Sequence, residues 1–177
     1  MTKIRFATTW LDGCSGCHMS FLDLDERLID LAEHIDLVYS PLVDFKEYPA
    51  DVDVCLVEGA VSSTGDLHKI KMVRERTKVL IAFGDCAVTT NVPGMRNAIG
   101  TGPVLHRAYV ETASANPGIP DEVVPALLPQ ALAVGHVVTV DCYLPGCPPS
   151  ADLIWKALTT LLDGQVPNPA SLARFGR

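Results

Sequence analysis

The sequence is poor in charge and has no concentrated block of either sign. Of its 177 residues, 14 are Lys or Arg and 21 are Asp or Glu, for a net charge of −7. No stretch gathers Lys and Arg into a patch, which argues against a nucleic-acid partner, since phosphate binding relies on clustered positive charge. No apolar run approaches the ~18 residues that cross a bilayer, so no membrane span is expected. The opening Met-Thr-Lys-Ile-Arg-Phe-Ala contains neither an apolar signal-peptide core nor a twin-arginine motif, and a cytoplasmic location is the expectation. Internal repeats and low-complexity linkers are also lacking, and the length suits one domain over 1–177.

Apolar content is what the chain has in excess: 48% hydrophobic residues against 20% charged, with a positive mean hydropathy. A dense α/β core raises that figure, and so does a face buried against another subunit; the second is favoured, because large exposed apolar patches usually mark contact sites. Six cysteines are present. In a reducing compartment they point to metal or redox chemistry rather than to disulfides.

Five segments read as short buried strands: 3–9, 35–40, 52–58, 78–83 and 137–143. Four of them contain nearly continuous apolar runs, as parallel strands covered on both faces do. Between them, 19–34 places Phe21, Leu24, Leu28, Leu31 and Ile35 at spacings of three and four, the mark of a helix with one apolar face. A shorter charged helix is predicted at 65–77 and a last one at 151–162, with Gly164 as its stop. The stretch 91–135 is rich in Pro and Gly and reads as an irregular excursion with short helices. Alternating strands and helices predict an α/β fold, a flavodoxin-like open doubly wound parallel sheet with helices on both faces.

Four cysteines fall at strand ends. Cys14 and Cys17 form Cys-Ser-Gly-Cys after the first strand, Cys86 lies in Phe-Gly-Asp-Cys after the fourth, and Cys147 lies in Leu-Pro-Gly-Cys-Pro-Pro after the fifth. Open α/β sheets collect ligands outside the carboxyl ends of their strands, so three loops distant in sequence are expected to converge. Neighbouring glycines let the backbone approach closely and leave N–H groups free to face sulfur. Four thiolates in such a setting suit an iron–sulfur cluster, whereas a structural zinc site usually draws on two closely spaced pairs and a thioredoxin-like dithiol needs only one pair. An FMN module of flavodoxin type is a further alternative. It would need a Ser/Thr/Gly-rich phosphate loop where Asp-Gly-Cys-Ser-Gly-Cys stands, so FMN on this chain is not expected.

The sequence resembles the small subunit of [NiFe] hydrogenases, and most closely the short form of cytoplasmic NAD-reducing (bidirectional) hydrogenases. The likeness is carried by Trp-Leu-Asp-Gly-Cys-Ser-Gly-Cys-His at 10–18, Val-Glu-Gly-Ala-Val at 57–61, Gly-Asp-Cys-Ala at 84–87, Thr-Asn-Val-Pro-Gly-Met-Arg-Asn at 90–97 and Leu-Pro-Gly-Cys-Pro-Pro-Ser at 144–150. It implies that Cys14, Cys17, Cys86 and Cys147 hold one [4Fe–4S] cluster beside a Ni–Fe site carried by a separate large subunit. It further implies partners of diaphorase type with iron–sulfur and flavin groups that reduce NAD⁺, and no independent activity for this chain. Many such small subunits continue into a second cysteine-rich domain; here no cysteine follows Cys147. The related complex I quinone-oxidoreductase subunit carries adjacent cysteines in its first motif. Here two residues separate Cys14 from Cys17, which favours the hydrogenase branch.

Glu58 ends an apolar strand on the side where the cysteines gather. A carboxylate there is expected to be partly desolvated and suited to proton relay between the Ni–Fe site and solvent, with a loop carboxylate bonding backbone N–H groups as the plainer alternative. His18 reads either as a donor to cluster sulfur or a partner chain, or as a solvent-exposed residue at a helix start. Cys55 and Cys142 read as buried apolar residues, although Cys142 is near enough in sequence to approach the cluster. Trp10 and Arg96 are candidates for a subunit interface.

Overall fold

Residues 3–168 are described by a computed structural model, and their strands form one parallel sheet with a small antiparallel pair beside it. The strands are β1 (Ile4–Trp10), β2 (Ile35–Tyr39), β3 (Val52–Glu58), a short β4 (Val61–Ser63), β5 (Thr77–Phe83), β6 (Leu127–Leu132) and β7 (Cys142–Leu144). The five-stranded sheet runs β2-β1-β3-β5-β7, while β4 and β6 form the separate antiparallel pair. The helices are α1 (Gly16–Leu22), α2 (Arg27–His34), α3 (Thr64–Glu75), α4 (Asp85–Thr89), α5 (Asn91–Gly94), α6 (Thr101–His106) and α7 (Ala151–Leu162).

The apolar runs bury both faces of the sheet. Phe6, Val54, Leu56, Ile81 and Phe83 share a core with Phe21, Leu24 and Leu31 and with Ile154 and Leu158 of α7. The alternate residues Ala7, Cys55, Val57, Leu80 and Ala82 share another with Ile70 and Val73 of α3 and Ala87 of α4. This period-two division explains why the central strands show no polar side. A Leu56→Ala change at this depth typically costs about 2–5 kcal/mol.

The structure departs from the sequence reading in three places. The region 19–34 is two helices, because Asp25 takes a left-handed φ of 50° and the chain turns there to bury Leu24. The last strand covers only Cys142–Leu144, not 137–143. Its start is displaced by Asp141, whose carboxylate accepts the Leu80 N–H at 2.7 Å and binds Arg74. Val137, Val138 and Val140 pack on the second core from an irregular segment, so burial rather than strand pairing explains their apolar run. Of the β4–β6 pair, β6 lies in the stretch 91–135 read as irregular, and β4 lies between the third strand and the helix at 65–77, where no strand is expected from the sequence. Helices 65–77 and 151–162 appear as expected: α3 is closed by a Ser63–Asp66 capping box, and Gly164 stops α7 at φ 75°.

The register prepares the site. Trp10 pairs with Glu58, Glu58 with Phe83, and Phe83 with Leu144. These four residues make one row across the carboxyl edge of the sheet, and the loops that leave it carry the four strand-end cysteines.

Candidate metal centre

The loop after β1 is clamped to the segment after β3. Leu11 N–H donates to the Glu58 carbonyl at 2.8 Å, and Asp12 and Ala60 exchange backbone hydrogen bonds at 3.0 and 2.7 Å. Gly59 makes this approach possible: its φ is 91°, and a Cβ there would stand 2.8 Å from the Asp12 carbonyl oxygen. Cys14 is exposed, whereas Cys17, in the first turn of α1, is buried.

The other two loops are locked to each other. Gly84 N–H donates to the Leu144 carbonyl and Asp85 N–H to the Gly146 carbonyl, both at 2.8 Å. Gly146 N–H returns to the Asp85 carboxylate at 2.7 Å. This pairing brings together the loops that carry Cys86 and Cys147. Gly84, at φ 83°, lies against Cys17, and a Cβ on it would fall 2.2 Å from the Cys17 sulfur. Ser20 of α1 completes the frame by donating to the Pro149 carbonyl at 2.5 Å. The Cys147–Pro148 peptide is cis.

Electrostatics reflects the same convergence. Burial pushes the Cys17 thiol far above its ordinary value, and the charges of Glu58, Cys86, Cys14 and Cys147 push it further. Burial also raises the Cys86 thiol, as do Cys147 and Cys14, while the Val92 backbone N–H and the Asn91 side chain pull it back. The four thiols, carried on loops remote in sequence, are thus within electrostatic reach of one another. A group of positive charge bound among them would stabilise the thiolates that burial and mutual repulsion disfavour. Cys55 and Cys142 stand apart. Cys55 is fully buried in the second core, its thiol pushed up to about 12 by burial. Cys142, pushed up to about 11 by burial, donates to the Pro167 carbonyl at 3.3 Å. Among the described residues, no three His, Cys, Asp or Glu side chains stand close enough together to hold a single metal ion.

Glu58 is 1% exposed and holds His18, which is equally buried. Its Oε2 accepts the His18 backbone N–H at 3.1 Å and also meets the ring Nδ1. The ring Nε2 lies 3.0 Å from Thr8 Oγ1, which donates to Ser40 Oγ at 2.8 Å. Thr8, His18 and Ser40 border an otherwise apolar cavity of about 350 Å³. Of the two readings of His18, neither holds: it is buried, and both ring nitrogens are engaged by Glu58 and Thr8. Arg96 is half-buried, and its guanidinium donates to the Leu128 and Ser62 carbonyls at 3.0 Å each, tying the segment after α5 to the β4–β6 pair. Sequence reasoning missed Asp85 and Asn91 as parts of the site; their position beside Cys86 was the only local signal.

The family model described as NADH ubiquinone oxidoreductase, 20 Kd subunit, matches residues 14–161. The chain belongs to this family. It is 40% identical to the NAD-reducing hydrogenase HoxS subunit delta of Cupriavidus necator, over 98% of this chain and 86% of that one. It is 38% identical to a component of the F420-non-reducing hydrogenase of Methanocaldococcus jannaschii, over 93% of this chain, but spans only 58% of that protein's length. A solved NAD⁺-reducing [NiFe]-hydrogenase, in its H₂-reduced state, contains a chain that superposes with a TM-score of 0.92 at 39% identity, covering 98% of this chain and 99% of the other. A [NiFeSe]-hydrogenase from Dm. baculatum shares the fold at 18% identity and a TM-score of 0.61, covering 97% of this chain and 66% of the other.

Proposed function

We propose that this chain is the electron-relay small subunit of a cytoplasmic NAD-reducing [NiFe] hydrogenase, with one [4Fe–4S] cluster on Cys14, Cys17, Cys86 and Cys147. The whole of 1–177 is read as its single cluster-binding domain. The observation that carries this reading is the convergence of four thiols, from three loops, on the carboxyl edge of the sheet. The residues suit such a group: the donors are thiols, and the flanking glycines leave room at sulfur. When bound, a cluster accepts and releases electrons one at a time.

The partner's reaction converts H₂ into two protons and two electrons, so each needs a way out. In this reading the electron acceptor sits at the sheet edge, with buried carbon on its inner side, where Cys17 shares a core with Phe83 and Leu144, and with the exposed Cys14 and Cys147 on its outer side. Electrons then continue to diaphorase-type iron–sulfur and flavin subunits. Glu58 is assigned to the protons. It holds or passes a proton at Oε2, and the buried file of His18, Thr8 and Ser40 supplies neighbours that both donate and accept. Exposed Met19, Val92 and Met95 lie close in sequence to Cys17 and Cys86, which supports a large subunit seated over this edge. Among the described residues, no helix is long and apolar enough to cross a membrane.

Anaerobic co-purification tests the reading. A large subunit in the complex, one cluster's worth of iron and sulfide on this chain, and H₂-dependent NAD⁺ reduction are expected. Zinc alone, or FMN bound to this chain, would overturn it.

A further inference from the structure

The turn between α4 and α5 is built on two consecutive residues in the left-handed region, Thr90 at φ 70° and Asn91 at φ 38°. Neither is glycine, and such backbone is strained for any L side chain, though least for Asn. Gly94 packs against this turn so tightly that a Cβ on it would meet Thr90 Oγ1 at 2.2 Å. The turn aims the Asn91 amide across to the loop after β7, where Nδ2 donates to the Cys147 sulfur at 3.4 Å. The same amide, with the Val92 N–H, acts on the Cys86 thiol. A thiolate sulfur only accepts hydrogen bonds, so the amide must present N–H rather than oxygen to it.

We propose that Asn91 is a potential-setting residue for the cluster, donating through Nδ2 to the Cys147 sulfur from a strained turn that exists to aim it. The inference rests on the proposed cluster site. A donor on a ligand sulfur stabilises the more negative, reduced state, and removing it lowers the midpoint potential. Asn91 touches the ligand but no substrate, so its effect is on electron affinity and not on bond breaking.

The test is an EPR-monitored redox titration of the purified complex carrying N91A or N91D, together with iron and sulfide analysis. N91A is expected to retain its cluster and to show a reduced-to-oxidised ratio about tenfold lower at the wild-type midpoint, a downward shift of ~59 mV for one electron. N91D keeps the shape, loses the donor and adds negative charge, so it is expected to shift further in the same direction. In wild type, pulsed EPR in D₂O should show an exchangeable deuteron coupled to the cluster that is missing in both variants. Unchanged midpoints with full iron would overturn the proposal and leave the cluster reading standing. Loss of iron from both variants would also overturn it, making Asn91 an assembly residue. A wild-type complex with no cluster iron on this chain would instead overturn the reading beneath it.

Discussion

Asp85 and Gly146 hold each other twice, through N–H to carbonyl at 2.8 Å and through N–H to carboxylate at 2.7 Å. The residues that follow them are Cys86 and Cys147, so this reciprocal pair sets the distance between two thiols that are remote in sequence. Asp85→Ala removes the charged half of the lock. A hydrogen bond to a charged group contributes about 1.5–3 kcal/mol. The variant is expected to lose that stability in chemical denaturation and to release iron to a chelator faster than wild type. Equal release rates would show that the pair is incidental.

Gly84 is the point at which the backbone comes up against the Cys17 sulfur. An added methyl would fall 2.2 Å from the Cys17 sulfur, on backbone at φ 83° that a side chain rarely adopts. Gly84→Ala is therefore expected to fold with little iron and sulfide, while Gly102→Ala, which meets nothing within 4 Å, keeps both. A fully loaded G84A protein would show that Cys17 does not face the loop of Cys86 as described.

Glu58 separates charge from shape. Glu58→Gln keeps the hydrogen-bonding outline toward His18 but cannot hold and pass a proton in the same way. H₂ turnover and H/D exchange in the complex are expected to fall about a hundredfold, the usual scale of a lost acid–base group, with iron content unchanged. Glu58→Ala should in addition lower the thermal midpoint, since it leaves the buried His18 backbone N–H and the ring Nδ1 without their partner, at about 1–3 kcal/mol. Unaltered turnover in E58Q would remove Glu58 from the proton route.

Much of this was legible in the chain itself. Apolar runs such as Val52–Glu58 marked buried parallel strands because both faces of each are covered. Thiols at strand ends are few enough that their placement alone pointed to one site. What was not legible depended on partners far along the chain. The Asp85 carboxylate meets a backbone amide 61 residues away, and Asn91 meets a sulfur 56 residues away. His18 does stand in the first turn of α1, but its burial is set by Glu58, 40 residues on, which no local pattern shows. The run at 137–143 misled for a related reason: Asp141 takes the Leu80 N–H with its side chain, so the valines before it reach the core without joining the sheet.

The most direct test of the central claim is iron and acid-labile sulfide per chain in the anaerobically purified complex, compared across single cysteine variants. The account predicts that Cys14→Ala, Cys17→Ala, Cys86→Ala and Cys147→Ala each lose the cluster signal, while Cys55→Ala and Cys142→Ala keep wild-type iron and the same EPR spectrum. A cluster that survives loss of Cys86 or Cys147, or that disappears with Cys142, would contradict it.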